Sequence, residues 1–332
     1  MYNQIVNSNN NGENRILAIS EELSHRENTE KIGMFDIKGA NQTLQEAAKR
    51  PNPTPLWDTL WYEGEISCLF ADANVGKSIY AVQIGTEIAQ KQKVLYFDFE
   101  LSDKQFQLRY TADDGTLYTF PENLYRVEIN PESLDVQDFE NALFVNIEEA
   151  AQKTEAKVLI IDNLTWLCTA AEKGDLAGRL MIKLLGLKKK YGWSILILAH
   201  TPKRLLTSPI TQNDLAGSKK LFNFFDSVFS IGFSAKYSEQ RYIKQLKVRY
   251  GNYTYNADNV IVATIKKEGA FPRFDYIRTA SEREHLKELS EDDLAAITSN
   301  VKKLMKEGLS YQEIANRLGI SKSRVQRIQK KL

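Results

Sequence analysis

Residues 71–78 read Ala-Asp-Ala-Asn-Val-Gly-Lys-Ser, which has the residue types and spacing of a phosphate-binding loop. The segment follows the apolar run Ile66–Phe70 and precedes the helical pattern Ile79–Gln90. This order of strand, loop and helix is the context that such a loop needs, because amides at the helix amino terminus surround the phosphates. The alternative is a chance Gly-Lys-Ser at the start of a helix. The context favours a nucleotide site.

Two side chains of this loop carry the chemistry. Lys77 would bring a positive charge to the β- and γ-phosphates, and the Ser78 hydroxyl would bind Mg²⁺. The usual pattern begins with glycine, and Ala71 stands there instead; alanine can take this position where its φ is negative. The predicted ATP-binding residues of the loop are Ala71, Asp72, Ala73, Asn74, Val75, Gly76, Lys77 and Ser78.

A second magnesium ligand is predicted at Asp162. Four apolar residues precede it in Val158–Asp162, which is the Walker B form. A parallel strand places its last residue at the same sheet edge as the phosphate loop. Asp162 would then bind Mg²⁺, through water, beside the nucleotide. The alternative is an aspartate that caps the next turn.

The general base is sought on the neighbouring strand. Many P-loop ATPases carry Glu directly after the Walker B Asp, but Asn163 stands there and cannot accept a proton. The strand after the loop helix instead ends Asp98-Phe-Glu100, which resembles the RecA-like branch, where the catalytic Glu lies on this strand. Asp98 competes, because alternation places it on the same face as Glu100. We favour Glu100, which lies past the strand end and nearer the loop.

A histidine ends the next predicted strand. Ser194–Ala199 is followed by His200, whose ring would lie at the edge where the phosphates bind. His200 could sense the γ-phosphate and pass the signal to the following loop. The alternative is a histidine that only caps the strand.

Later in the chain, Lys247-Val-Arg249-Tyr-Gly251 forms a KxRxG motif on a predicted hairpin. The motif resembles that of DnaB-type replicative helicases. The resemblance implies that Lys247 and Arg249 reach across a subunit interface to the neighbour's ATP, where an arginine finger stabilises charge on the transferred phosphoryl group. The alternative is two solvent-facing basic residues on an edge strand, where they discourage aggregation.

Apolar runs alternate with helical patterns from Leu56 to Ile277, which predicts an α/β fold with a mostly parallel sheet. Arg241–Val248 and Asn259–Ile265 predict an antiparallel hairpin. Predicted strands are Ile66–Phe70, Val94–Phe99, Leu124–Ile129, Val158–Ile161, Ile195–Ala199 and Ser227–Ile231, and predicted helices are Ile79–Gln90, Phe139–Lys153 and Ala177–Tyr191. Residues 51–280 are the predicted ATPase domain. Residues 1–50 are polar, with some helix at Asn41–Arg50, and predict a flexible segment before the proline-rich linker at 51–55.

Composition excludes several classes of protein. The 44 basic and 43 acidic residues give a net charge of +1, which excludes a uniformly basic, histone-like protein. The two cysteines, Cys68 and Cys168, lie in apolar runs, so neither a disulfide framework nor a structural zinc site is expected. We expect neither a signal peptide nor a membrane partner, and a soluble, cytoplasmic protein.

Residues 286–332 predict a small all-α domain of helix-turn-helix type. Ser310 and Glu313 form a capping box, and the segment resembles the helix-turn-helix of resolvases and sigma-type regulators. Its predicted core is Leu294, Ile297, Val301, Leu304, Ile314, Ala315, Leu318, Ile320, Val325 and Ile328. Nine Lys or Arg against two Glu in residues 298–332 suggest an anionic partner. The predicted duplex contacts are Lys322, Ser323, Arg324 and Arg327. The alternative is a basic helix that docks on the ATPase core.

Residues 56–280 as a whole resemble a RecA-like ATPase, and most of all plasmid RepA-type hexameric helicases and the related AAA family ATPases of mobile elements. Besides the motifs above, residues 198–203 and 214–218 carry this resemblance. It implies ATP and Mg²⁺ as cofactors and a homo-oligomeric ring, usually of six. It also implies that loops 165–178 and 202–220 face a central channel and contact single-stranded DNA. The predicted contacts are Lys203, Arg204, Lys219 and Lys220; Lys219 or Lys220 could equally lie at the subunit interface.

Two functions follow from these expectations. The first is an oligomeric, DNA-dependent ATPase of replicative-helicase type, which moves along single-stranded DNA in the replication or mobilisation of a plasmid or mobile element. The second is a DNA-binding regulator in which ATP switches assembly without strand separation. The helix-turn-helix is the main support for the second.

Overall fold

The computed structural model of the chain describes residues 30–130, 139–163, 176–201, 204, 206–215, 219–288, 291–318, 320 and 322–330. The chain divides into two compact units, Met1–Pro53 and Thr54–Leu332. In the described part of the first unit, β1 (Glu30–Ile32) and β2 (Phe35–Ile37) form an antiparallel hairpin before helix α1 (Ala40–Ala48). The sequence predicted a helix here and missed the hairpin, whose strands are only three residues long.

The second unit is built on a nine-stranded sheet. Its strands are β5 (Ile66–Ala71), β6 (Val94–Asp98), β7 (Leu124–Val127), β8 (Val158–Asp162), β9 (Ser194–His200), β10 (Ser227–Phe233), β11 (Gln240–Lys247), β12 (Val260–Glu268) and β13 (Phe271–Ala280). Their order in the sheet is β13-β12-β11-β10-β5-β9-β8-β6-β7. The six strands from β10 to β7 run parallel, and β11, β12 and β13 are antiparallel. A short separate pair, β3 (Pro55–Trp57) and β4 (Trp61–Tyr62), precedes them.

Helices cover both faces of the sheet, as the alternating pattern predicted. The helices of this unit before residue 230 are α2 (Lys77–Ala89), α3 (Asp103–Arg109), α4 (Phe139–Thr154), α5 (Leu176–Tyr191) and α6 (Lys219–Phe224). Cys68 and Phe70 of β5 pack in one apolar cluster with α4 and α5, whereas Leu69 and Ala71 pack in a second cluster with α2. Because β5, β6, β8, β9 and β10 are covered on both sides, their residues are almost all buried and form mostly apolar runs, whereas no residue of the edge strand β7 is buried.

The antiparallel part of the sheet differs most from expectation. The predicted hairpin is present as β11 and β12, but β12 extends to Glu268, and β13 was not predicted. The sequence of β13 contains Pro272, and the polar residues Arg273, Asp275, Arg278 and Thr279 interrupt its apolar ones, so no long apolar run marks it. An edge strand tolerates both features, because one side of its backbone makes no sheet bond.

Three helices end the described chain: α7 (Glu291–Lys306), α8 (Tyr311–Leu318) and α9 (Lys322–Gln329). They enclose their own apolar cluster, in which Val301, Ile314 and Val325 are fully buried. The predicted capping box at the start of α8 is confirmed: the Ser310 amide donates to Glu313 Oε2 at 2.8 Å, and the Glu313 amide donates to Ser310 Oγ at 3.3 Å.

One predicted core residue is not in this cluster. Leu294 is 44% exposed, because it lies in the first turn of α7, before the helix meets its neighbours at Ile297. From the sequence, Gly319 is expected to end the first helix of the helix-turn-helix and Ser321 to cap the second, but both lie outside the described residues. Within the part of the chain that the structure describes, no helix is long and apolar enough to cross a membrane.

Because α7–α9 enclose their own apolar cluster, we predict that a cavity in this cluster destabilises these helices and not the sheet. Ile314→Ala should remove about 2–5 kcal/mol from the stability of the three helices, which is a large share for a unit of this size. Hydrogen exchange should then become fast across α7–α9 and stay slow in β5–β9. Leu294→Ala, at an exposed leucine of the same unit, should change neither region; equal loss of protection in the sheet would contradict a separate cluster.

A candidate nucleotide-binding site

The phosphate loop lies at the carboxyl edge of the parallel strands. β5 ends at Ala71, and α2 begins at Lys77. The helix is preceded by Gly76, whose φ of 101° favours glycine. A Cβ at this position would lie 2.5 Å from Ile265 Cδ1, so the glycine is required for space as well as for conformation. Ala71 is a buried strand residue with no positive φ, which explains how alanine fits at the first position of the motif.

Register brings the predicted site residues of four strands to this edge. Ala71 of β5 pairs with His200 of β9, and Asp98 of β6 pairs with Asp162 of β8. Since the carboxyl ends of parallel strands meet at one edge of the sheet, residues far apart in sequence come together here. Glu100 follows β6 and joins the same group.

Lys77 is the central charge of the site. Its side chain is only 6% exposed, and Nζ lies 3.3 Å from His200 Nδ1. Burial lowers the pKa of Lys77, while the carboxylates of Asp162 and Glu100 oppose that change by favouring the charged form. Both acids therefore favour the charged form of this buried lysine, at the place where phosphate oxygens would bind.

Asp162 has the properties of a magnesium ligand. Its Oδ2 accepts a 2.7 Å hydrogen bond from the Tyr96 hydroxyl. Its Oδ1 is buried, and no residue that the structure describes donates a hydrogen bond to it. Burial raises the pKa of Asp162, and the hydroxyls of Ser78 and Tyr96 oppose this. A buried carboxylate oxygen without a donor, beside a serine hydroxyl, fits a hydrated divalent cation.

Glu100 and Asp98 have different surroundings. The Asp98 carboxylate accepts from Arg126 Nε at 2.9 Å and from the amides of Glu100 and Leu101 at 3.2 and 3.0 Å. It is buried and fully occupied in shaping the turn after β6. Glu100 instead points to the site, with Oε1 3.3 Å from His200 Nε2. The geometry favours Glu100 for a role at the reacting phosphate.

Asn163 gains a positioning role that its sequence position did not reveal. Its Nδ2 donates to Glu100 Oε1 and lies 3.1 Å from His200 Nε2. The hydrogen bond with His200 lowers the pKa of Glu100 below its usual value, and the charge of Lys77 acts in the same direction. Glu100 is therefore an ionised carboxylate fixed by an amide and an imidazole.

A cavity of about 300 Å³ opens over these groups. It is lined by Ala73, Asn74, Gly76, Lys77, Ser78, Ile79, Glu100, Arg109 and His200. Arg109 was not predicted. It ends α3, the helix that follows Glu100, and forms no ion pair with an acidic side chain of the described residues. The sequence signal that could have identified Arg109 was a basic residue about two turns into the helix that follows Glu100.

The two residues of the KxRxG motif lie at the opposite edge of the sheet. Lys247 pairs with Val228 at the amino end of β10, and its Nζ donates to the carbonyl of Phe222 at 3.1 Å. Arg249 is 58% exposed and bonds Asp226 at 2.8 Å. Asp226 also accepts from the amide of Ile66, the first residue of β5. The length of β5, about 16 Å, therefore separates Arg249 from the phosphate loop of its own chain.

The predicted DNA contacts are distributed over three regions. On α9, Lys322, Ser323 and Arg327 are exposed and Arg324 is half-buried. Lys219 and Lys220 begin α6. Lys203 lies outside the described residues, as does most of loop 165–178.

Arg204 requires a correction. Its side chain is 6% exposed and forms an ion pair with Asp72 of the phosphate loop at 3.2 Å. A buried, paired guanidinium has no free face for a DNA phosphate. The sequence could not show this, because the partner lies 132 residues earlier in the chain. Arg204 is therefore not carried forward as a DNA contact.

The fold and this edge together define a P-loop ATPase of RecA-like fold. Residues 39–204, half of the chain, match the AAA domain family, and the chain belongs to that family. Residues 286–331 are similar to sigma-70 region 4. No curated protein matches the sequence. A crystal structure of a KaiC-like protein from the hyperthermophilic archaeon Pyrococcus horikoshii OT3 has the same fold at 14% identity and a TM-score of 0.50, covering 65% of this chain and 91% of that one.

The different surroundings of Glu100 and Asp98 predict different effects of removing each carboxylate. Glu100→Gln should keep ATP binding but slow hydrolysis by about 10²–10⁴-fold, because only the proton-accepting group is lost. Asp98→Asn should keep hydrolysis in the folded protein but reduce stability by about 1–3 kcal/mol, because Arg126 loses a charged acceptor. Phosphate release, binding of a fluorescent ATP analogue and thermal unfolding separate the two effects. Normal hydrolysis by Glu100→Gln, with loss in Asp98→Asn, would reverse the assignment.

Proposed function

We propose that the protein is an oligomeric, DNA-dependent ATPase of replicative-helicase type, which couples ATP hydrolysis to movement along single-stranded DNA in the replication or mobilisation of a plasmid or mobile element. The observation that carries the proposal is the separation of Arg249 from the phosphate loop of its own chain. One edge of the sheet gathers Lys77, Asp162 and Glu100, and the other exposes the KxRxG motif. A ring of identical subunits brings the two edges together.

Within one subunit, each residue has a defined task. Lys77 and Arg109 bind phosphate oxygens, and Ser78 and Asp162 would hold Mg²⁺, which would neutralise phosphate charge. Glu100 orients the attacking water and accepts its proton. Asn163 and His200 fix the Glu100 carboxylate, a role supported by their contacts with its Oε1. His200 also contacts Lys77, so it lies between the base and the phosphate-binding cation.

The neighbouring subunit would complete the site. The Arg249 side chain is exposed and, among the residues that the structure describes, forms an ion pair with Asp226 at the amino edge. When a neighbour docks against this edge, Arg249 exchanges Asp226 for the γ-phosphate and stabilises charge that develops during transfer. Lys247 lies beside it and adds a second positive charge. In this proposal no subunit hydrolyses ATP efficiently alone.

The C-terminal helices supply a separate DNA contact. Basic residues on α9 are exposed, and the unit has its own core, so it presents a fixed helix to an anionic partner. Lys322, Ser323, Arg324 and Arg327 would contact duplex DNA, by phosphates or base edges. The similarity of residues 286–331 to sigma-70 region 4 supports a duplex-binding role. Lys203, Lys219 and Lys220 are proposed as contacts to single-stranded DNA in the channel.

The similarity of residues 286–331 to sigma-70 region 4 also favours a second function. A helix-turn-helix fused to an ATPase suits a regulator in which ATP binding controls assembly on duplex DNA, without strand separation. Both functions use the same nucleotide site and the same α9 face. They differ in whether hydrolysis moves the ring along a strand.

A strand-displacement assay on a forked duplex tests the proposal. The helicase function predicts ATP-dependent displacement, which Lys77→Ala abolishes because the phosphates lose their buried cation. ATP-dependent binding to duplex, with no displacement by any fork geometry, would identify the regulator instead. Absence of both activities in a chain that hydrolyses ATP would contradict both functions.

Mixing two inactive variants tests the shared site. Arg249→Ala subunits keep Glu100, and Glu100→Gln subunits keep the finger. In mixed rings, about a quarter of interfaces would pair an intact base with an intact finger, so ATPase activity should recover to about a quarter of the wild-type value if sites are independent. Steady-state phosphate release is the measurement. No recovery despite subunit exchange, confirmed by energy transfer between labelled subunits, would contradict action across subunits.

The α9 contact predicts a change in salt dependence. Arg327→Ala should weaken duplex binding and lower the slope of log affinity against log salt by about 1 if it contacts a phosphate; a base contact should instead cost about 1–3 kcal/mol of sequence discrimination. Fluorescence anisotropy against salt, on specific and scrambled duplexes, measures both. Lys91→Ala, at an exposed lysine after α2, is the control. Unchanged duplex binding by Arg327→Ala and Lys322→Ala together would favour a docking helix.

A further inference from the structure

Arg204 links the phosphate loop to the antiparallel part of the sheet. Its Nε contacts Asp72 Oδ2 at 3.2 Å, its Nη1 donates to the Ser208 carbonyl at 2.9 Å, and its Nη2 donates to the Tyr242 hydroxyl at 3.4 Å. Asp72 directly follows β5, and its other oxygen accepts from the Thr201 hydroxyl. Thr201 and Arg204, which lie after β9, are thus both bonded to Asp72 at the start of the phosphate loop.

Tyr242 extends this contact toward the C-terminal helices. Its ring is fully buried and stacks on His285, with centroids 5.4 Å apart and planes 24° apart. His285 Nδ1 lies 3.0 Å from Ser234 Oγ. Gly232, the β10 residue paired with Tyr242, leaves the room that the ring needs, because a Cβ there would lie 2.3 Å from Tyr242 Cζ.

His285 belongs to the connector, which we define as residues 281–288, between β13 and α7. The connector is also bonded to the segment after Arg204. The Lys287 amide donates to the Leu206 carbonyl at 3.0 Å, and the Ile210 amide donates to Glu282 Oε1 at 2.7 Å. Lys244 of β11 pairs with Glu282 at 2.6 Å inside the protein. Leu206 and Ile210, which follow Arg204 in the chain, therefore bond to the connector, and Arg204 itself bonds to the phosphate loop.

We propose that Arg204 is a positioning residue that couples the phosphate loop to the connector, so that nucleotide binding changes the conformation of the connector, which precedes the C-terminal helices in the chain. A loop that rearranges around phosphates moves Asp72. The buried guanidinium follows, because an unpaired charge away from water is costly. Its movement displaces the Tyr242 hydroxyl and the segment that holds Lys287. The result is a coupling of nucleotide occupancy to duplex affinity, typically 5–150-fold when two sites are linked. This inference rests on the proposed nucleotide and duplex sites.

Hydrogen exchange of the full-length chain tests the coupling without requiring DNA. The probe is a non-hydrolysable ATP analogue at saturation, and the readout is exchange of connector amides, above all that of Lys287. We expect the analogue to change this exchange at least 5-fold in the wild type. Tyr242→Phe keeps the ring stacked on His285 but removes the hydroxyl that accepts a hydrogen bond from Arg204. Arg204→Lys keeps the positive charge but cannot bond to Asp72, Ser208 and Tyr242 together. Both should lose the change while still binding the analogue. Tyr276→Phe, at an exposed tyrosine of β13, should respond like the wild type.

The outcomes separate this inference from the proposed function. Analogue binding without any change at the connector in the wild type overturns the coupling, as does a wild-type response in both Tyr242→Phe and Arg204→Lys. A chain that binds no analogue contradicts the proposed function and the coupling together. A connector response without duplex binding supports the coupling and contradicts the DNA-binding role. In a chain that does bind duplex, the analogue should change the dissociation constant at least 5-fold, and Tyr242→Phe should abolish that change.

Discussion

The buried ammonium group of Lys77 sets the arrangement of the whole site. A cation removed from water needs acids close by, and Asp162 and Glu100 supply them from two neighbouring strands. Each acid is in turn held by a polar group of its own, Tyr96 for Asp162 and Asn163 for Glu100. The parallel register of β6, β8, β5 and β9 is what brings these partners to one edge. An ATP phosphate placed here would add negative charge to a site that already has the cations to receive it.

Much of this site could be predicted from the sequence, because its motifs are local. The phosphate loop, Asp162 and Glu100 each stand at the end of an apolar run, and the run itself predicts a buried parallel strand. The covered sheet and the C-terminal helical unit followed from the same periodicities. The capping box of α8 was predicted from two residues three positions apart.

What the sequence could not show depends on contacts between distant residues. Arg109 enters the cavity from a helix with no motif, and Arg204 is buried because Asp72 lies opposite it. The choice between Asp98 and Glu100 needed the position of Arg126 on β7. β13 lacks an apolar run because it is an edge strand, and Leu294 lies one turn before its helix reaches the small core. In each case the local pattern was compatible with two environments, and tertiary packing selected one.

The two edges of the sheet carry different groups of candidate functional residues. In the function that we propose, the carboxyl edge binds and hydrolyses ATP, the exposed Arg249 at the amino edge serves a neighbouring subunit, and the connector transmits nucleotide binding toward the C-terminal helices. Such a division suits a protein whose identical copies complete one another's sites and report nucleotide state to a DNA-binding unit.

The most direct test is the structure of the assembled particle with Mg²⁺ and a non-hydrolysable ATP analogue. We expect Lys77 of one subunit and Arg249 of the next to bind the same γ-phosphate, at hydrogen-bonding distances of about 2.7–3.2 Å. A nucleotide enclosed by one chain alone, with Arg249 of every subunit still paired with Asp226, would contradict it.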